Sequence, residues 1–143
     1  MKVTQLARHL NVTPDTVRYY TRIKLLRPKK SPENGYKNYP TSEINRLHFI
    51  VCARDLGFSV EDIQEILAES DAGHSACPRV RDLIELRLQE TQVRLQHMQQ
   101  QYDRMKLAVS SWHDKPDMAP TDDMICHLIE KFGMAHFVDS QEA

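Results

Sequence analysis

Apolar residues recur at helical spacing through most of the chain, and the interruptions between them mark out the elements. Val3, Leu6, Ala7 and Leu10 share one face of a short first helix, after which Asn11-Val12 turns the chain. Thr13 is suited to N-capping a second helix. Pro14 fits that helix's first position, where an N–H would find no partner in any case, and Asp15 suits the positive end of the helix dipole. This second helix sets Thr16, Arg18, Tyr19 and Arg22 around apolar Val17 and Ile23. A polar, basic surface beside a packing strip is the pattern of a helix that lies in a DNA major groove. The helix ends over Leu25–Pro28. Within Lys29–Tyr39, Asn34-Gly35 supplies positive φ angles for a tight hairpin, so a two-stranded wing is expected. Ser42 is expected to cap a third helix that runs to Leu56 and is stopped by a left-handed Gly57. Ser59-Val60-Glu61-Asp62 reads as a capping box opening a fourth, with Val60, Ile63, Ile66 and Leu67 inward and a break at Gly73.

Neither glycine nor proline interrupts the chain between Pro78 and Ser111, so a single helix of about 34 residues, about 50 Å long, is expected there. Ile84, Leu88, Thr91, Leu95, Met98, Tyr102, Met105 and Val109 alternate steps of four and three along it, a sustained heptad seam. A lone exposed helix has no use for such a seam, so pairing with a second copy is expected, the alternative being that the seam packs onto its own head. The same phase extends to Arg81 and Cys77 at one end and Trp112 at the other. Ser110–Asp123, with two prolines and four aspartates, reads as a loop anchored by Trp112. Met124–Phe132 reads as a short helix ended by Gly133, and the last ten residues as a loosely held tail.

Charge sharpens this picture. The net charge of −1 conceals an asymmetry: residues 1–58 carry eleven Lys/Arg against four Asp/Glu, whereas residues 59–143 carry eight against sixteen. A basic head suits a polyanion, and an acidic remainder limits nonspecific adhesion and suits cations. No apolar run approaches the roughly 20 residues of a membrane span and nothing at the N-terminus resembles a signal peptide, so a cytoplasmic protein with no membrane partner is expected. Three widely spaced cysteines, Cys52, Cys77 and Cys126, then read as free thiols or thiolate ligands. Adjacent Cys126 and His127 would point about 100° apart on a helix and make no catalytic dyad, so an enzyme is not expected.

Thr16-Val17-Arg18-Tyr19-Tyr20, Leu25-Leu26-x-Pro28, Asn34-Gly35-Tyr36-x-x-Tyr39 and Ala53-Arg54-Asp55-Leu56-Gly57-Phe58 stand in the order that resembles the MerR family of regulators, over residues 1–70. The resemblance implies a mainly α fold: a winged helix-turn-helix DNA-binding domain (1–70), a hinge and dimerisation helix in an antiparallel coiled coil (71–111), and an effector-binding loop with a short helix and tail (112–143). It further implies a homodimer on double-stranded promoter DNA that distorts the DNA so that RNA polymerase engages both promoter elements. Arg18 and Tyr19 would lie in or beside the groove and Tyr36 and Lys37 would approach phosphates, with Thr16 and Arg22 completing the DNA-binding set. Thr21, Lys24 and Lys37 depart from the family's usual Glu, Gly and Arg. Lys24 would carry a strain of ~1 kcal/mol if the left-handed conformation is kept.

The family's metal-sensing branch places its ligands at the start of the long helix and in the loop beyond it. By that resemblance Cys77, His113 and Cys126 form a Cys₂His set, with His74, Asp114 or His127 as a further candidate ligand. Cys77 stands where divalent-metal sensors have cysteine, and Trp112 replaces the first loop cysteine. Mixed N/S ligation fits Zn²⁺ foremost, with Cd²⁺ and Pb²⁺ as softer competitors. Two other readings stay open at this point: a thiol-based sensor of aldehydes or oxidants acting through Cys52, and an architectural DNA-bending protein with no effector.

Overall fold

The computed structural model describes residues 1–142, and the side chains of residues 1–135. Six helices and one short hairpin follow in the order α1 (Val3–His9), α2 (Pro14–Arg22), β1 (Lys29–Lys30), β2 (Lys37–Asn38), α3 (Thr41–Leu56), α4 (Val60–Asp71), α5 (Cys77–Trp112) and α6 (His127–Glu142). Two compact units result, Met1–Arg87 and the chain from Leu88 onward, with α5 contributing to both.

In the first unit α1 to α4, the hairpin and the first turns of α5 enclose a core that includes Leu6, Val17, Leu26, Tyr39, Leu47, Ile50 and Ile63, all essentially inaccessible. Each aliphatic side chain so buried contributes ~1.5–3 kcal/mol. Leu83 of α5 is buried in the same core, and Val80 and Ile84 pack against it. Arg87 closes this stretch with an ion pair of 2.8 Å to buried Asp62, and Arg79 makes another of 2.8 Å to Glu65.

All four head helices stop in the same way. Asn11 (φ 56°), Lys24 (φ 67°), Gly57 (φ 117°) and Gly73 (φ 79°) are left-handed. In each case the following N–H reaches back five residues to a helical carbonyl: Val12 to Ala7, Leu25 to Tyr20, Phe58 to Ala53 and His74 to Glu69, at 2.9–3.0 Å. These are Schellman closures, which satisfy carbonyls that the helix end would otherwise orphan. The N-termini of α2 and α4 carry the expected caps. Thr13 Oγ1 accepts the Thr16 N–H at 3.1 Å, and Ser59 and Asp62 make a reciprocal capping box at 3.0 Å in each direction.

Four expectations need correction. α3 starts at Thr41 with Pro40 as its N-cap, so Ser42 is not the cap. Glu43 occupies the position from which a carboxylate reaches back to the N-cap N–H, but proline has none, and its Oε2 is buried without a hydrogen-bond partner. The wing is not closed by a two-residue Asn-Gly turn. Gly35 alone is left-handed (φ 71°), the Gly35 N–H bonds Ser31 O and the Ser31 N–H bonds Tyr36 O, so a longer loop joins the strands. α5 extends through Trp112, past the expected start of the loop at Ser110. α6 begins at His127, three residues beyond Met124, and continues through Gly133 and the expected tail to Glu142. Gly133 has no positive φ; glycine lowers helix propensity by ~1 kcal/mol but ends a helix only when it turns left-handed.

In the second unit, Trp112 meets Phe132 edge-on with ring centroids 6.0 Å apart, and Ala108 is buried. Among the described residues, most of the α5 seam stays exposed. Leu88, Leu95, Met98, Tyr102, Met105 and Val109 are all between 58% and 69% exposed.

Candidate DNA interface and metal ligands

Thr13 and Pro14 start α2 where the turn after α1 delivers it, and burial of Val17 and Tyr20 fixes its rotation. Arg18, Tyr19 and Arg22 are thereby left exposed on its outer face. The Arg22 guanidinium lies 5.5 Å over the Tyr19 ring, a cation–π contact that holds both side chains at the surface. Arg18 Nη1 is 3.0 Å from Asp15 Oδ1, with the guanidinium 57% and the carboxylate 93% exposed, so this pair is weak. Thr16 is half-buried, its hydroxyl 2.9 Å from that of Thr13, which ties it to the cap. Tyr20 is a core residue whose ring centroid lies 5.3 Å from that of Tyr19.

The wing presents Lys29, Lys30, Tyr36 and Lys37 to solvent, with Lys30 paired to Lys37 and Lys29 to Asn38. Two contacts that carry the wing were missed in the sequence. The Tyr39 N–H donates to Met1 O at 2.7 Å and the Met1 ammonium donates to Asn38 Oδ1 at 2.8 Å, which brings Lys2 Nζ to 5.8 Å over the Tyr36 ring. Lys2 thus joins the wing's cationic surface, a placement that only pairing across 37 residues creates. At the wing's base, Thr21 donates its hydroxyl to Val17 O at 2.8 Å, so the Tyr39 hydroxyl, 2.7 Å away, donates to Thr21. That short bond links α2 to the strand leading into α3.

The metal candidates fall in two places. Cys77 is exposed at the first residue of α5, beside a cavity of about 380 Å³ lined by Phe49, Ile66, Leu67 and Val80. In the second unit, His113 is exposed just past the end of α5, and Cys126 is half-buried at the start of α6. The Cys126 N–H and the Ile125 N–H both donate to Glu130 Oε2, at 2.8 and 3.0 Å, so a carboxylate fixes the backbone at this cysteine. His127 is buried, and its Nε2 lies 2.8 Å from Pro116 O. The carbonyl can only accept, so Nε2 carries the proton and Nδ1 the lone pair. Asp114 is exposed, and His74 Nδ1 is 3.4 Å from Glu69 Oε2. Among the described residues of one chain, no three acidic, histidine or cysteine side chains converge as a metal cluster. Cys52 is exposed on α3 with its Sγ 3.7 Å from His48 Nε2.

Two family descriptions match in succession: "MerR HTH family regulatory protein" over residues 1–70 and "MerR, DNA binding" over residues 44–107. The HTH-type transcriptional regulator ZntR of Escherichia coli K12 is 38% identical over 108 residues, covering 73% of this chain and 77% of that protein. The chain belongs to the MerR family. Its members are transcription regulators and not enzymes. The mercuric resistance operon regulatory protein of Bacillus cereus is 29% identical over 97 residues, covering 68% of this chain and 74% of its own. The lead(II) complex of the regulator PbrR691 from Ralstonia metallidurans CH34 shares the fold with a TM-score of 0.69 at 19% identity, covering 92% of this chain and 98% of that one. Lys24 adopts the left-handed conformation at the end of α2, and Thr21 and Tyr39 form a neutral hydrogen-bonded pair.

Proposed function

We propose that this MerR-family protein binds promoter DNA as a homodimer and switches transcription in response to a divalent metal. The observation that carries the DNA reading is the division of α2, with Val17 and Tyr20 committed to the core and Arg18, Tyr19 and Arg22 left on one outer face. Arg18 then pairs with a base edge or clamps phosphate, Tyr19 packs on sugar and phosphate, and Thr16 and Arg22 complete the helix's contacts. Tyr36 and Lys37 bring the wing to the flanking backbone. Lys37 keeps the charge of arginine without its two-pronged geometry, so it contacts phosphate as a point charge. RNA polymerase is the partner on the same promoter, engaged when the metal-loaded dimer distorts the DNA.

The dimer reading rests on the exposed heptad seam of α5, six of whose apolar or aromatic positions are more than half exposed. The metal reading assigns Cys77 of one subunit and Cys126 of the other to a shared ion, with His113 as the third ligand and Trp112 as an apolar wall. Two thiolates neutralise a 2+ ion, so Zn²⁺ is favoured, with Cd²⁺ or Pb²⁺ as competitors and Cu⁺ disfavoured. When bound, the ion would tie the start of one α5 to the loop that follows the other. His127 presents Nδ1 as its lone-pair nitrogen, which keeps it available as a fourth ligand.

Two measurements test this. Metal content and thiol accessibility of protein purified without chelator should give bound zinc with Cys77 and Cys126 protected and Cys52 open to alkylation. A mixed dimer, in which one chain lacks Cys77 and the other lacks Cys126, should retain about one tight site per dimer, because one of its two sites regains both thiolates. Loss of all tight binding in that dimer would refute the shared site. The second reading, a thiol sensor acting through Cys52, is favoured by the exposure of that thiol beside His48, and requires three freely alkylated thiols and no metal.

A further inference from the structure

The loop and helix beyond α5 distribute their charges unevenly. Residues 112–135 hold five acids, Asp114, Asp117, Asp122, Asp123 and Glu130, against two lysines, Lys115 and Lys131. Both lysines nevertheless line one partly enclosed cavity of about 370 Å³, and none of the five acids does. We infer that this cavity is a binding site for a small aromatic carboxylate, with the ring in the corner formed by Trp112 and Phe132 and the carboxylate held by Lys115 and Lys131.

Local structure brings these groups together. The Lys115 N–H donates to Trp112 O at 3.1 Å, a turn that folds the chain back at the end of α5. His127 Nε2 donates to Pro116 O at 2.8 Å, which ties the loop to the first turn of α6. From there Leu128, Lys131, Phe132 and Ala135 recur at helical spacing, so one face of α6 walls the cavity. The ring planes of Trp112 and Phe132 stand 74° apart. A third ring that stacks on one of them meets the other edge to face, and both arrangements are ones that aromatic rings prefer. A cavity of ~150 Å³ accepts a benzene ring, so this one has room for a ring with a short acidic chain.

Charge selects the occupant. Among the described residues, neither Lys115 nor Lys131 makes an ion pair, and Ser111 adds a hydroxyl to the lining. Two ammonium groups on one cavity with no acid beside them repel a cationic ligand and attract an anion. The His127 N–H is committed to Pro116, so the lysines supply the charge-assisted hydrogen bonds. An uncharged aromatic ligand gains only the ring contacts and an inorganic anion only the lysines, whereas a ring that carries a carboxylate uses both. The site requires neither the dimer nor a bound metal.

Trp112 is the chain's one tryptophan, so its fluorescence reports on this cavity. Phenylpropionate titrated into the full-length protein should change that emission saturably, with half-saturation below about 1 mM. Phenylpropionamide should bind about tenfold more weakly, phenylpropylamine more weakly still, and acetate should give no response. The double variant Lys115→Gln/Lys131→Gln, with its circular dichroism unchanged, should bind phenylpropionate about tenfold more weakly and the amide within about twofold of the parent. Equal affinity of the parent for the acid, the amide and the amine would make the cavity an apolar surface without charge selection. A response to acetate equal to that for phenylpropionate would reduce it to a pair of lysines. No saturable response to any of the four would show that another segment or a second copy fills the space. Each of these three results overturns the inference.

Discussion

Replacing Lys24 by glycine should stabilise the protein, and the amount follows from the way α2 ends. Lys24 has φ 67° and sits where the chain reverses, its N–H on Thr21 O at 3.1 Å and the next N–H on Tyr20 O at 2.9 Å. These two bonds require the left-handed conformation, which costs an L-residue with a Cβ ~1–2 kcal/mol. Glycine removes that cost but adds ~0.5–1 kcal/mol of backbone entropy to the unfolded chain. The side chain is exposed and its removal leaves no cavity. The net gain is therefore ~0.5–1 kcal/mol, or roughly 2–4 °C in Tm. Urea denaturation followed by circular dichroism, at fixed protein concentration because the dimer is linked to stability, measures it. Lys24→Ala is the control: it loses the same charge but keeps the Cβ, and should stay within ~0.5 kcal/mol of the parent. Equal stabilisation by glycine and alanine would show that charge, not backbone strain, governs the site, and destabilisation by glycine would refute the reasoning.

Arg18→Ala should weaken operator binding by ~1–3 kcal/mol in a titration at fixed salt without changing the dimer, while Asp15→Ala should tighten binding by freeing Arg18 and removing an acid beside phosphate. Unchanged operator affinity for Arg18→Ala would remove it from the interface. Leu95→Glu places a charge at the centre of the seam and should give monomers by sedimentation that bind half-sites poorly; a stable dimer would place the interface elsewhere. The carboxyl of Asp62 is held below its ordinary value of 3.8: burial raises it, but the Ser59 backbone N–H and hydroxyl and the Arg87 guanidinium together outweigh that. A lowered folded-state pKa stabilises above the unfolded value, and the contribution is lost as pH falls through the folded one. Asp62→Asn should thus cost ~2 kcal/mol at pH 7, with the gap to the parent narrowing below about pH 4; a gap independent of pH would show that the pair is not electrostatic.

The local grammar of the head was legible in the residues themselves. Thr13-Pro14, the Ser59–Asp62 box and left-handed Gly57 act through bonds within a few positions of one another, and spacing alone identifies such bonds. The heptad phase of α5 was equally local, because 3.5-residue periodicity needs no knowledge of the partner. What the sequence withheld depends on contacts between distant segments or on what a neighbour lacks. Ser42 looked like a cap, yet Pro40 takes that place because its extended backbone already starts the helix, and Glu43 is buried with an unmet oxygen as a result. Gly133 looked like a stop, yet glycine ends a helix only where the chain turns left-handed, and here it does not. Lys2 reaches the wing only because Met1 pairs with Tyr39, and Tyr39 donates to Thr21 only because the strand returns beside α2. Periodicity and caps are set by neighbours in sequence, whereas which basic and thiol-bearing side chains share a surface is decided by where the folded chain returns.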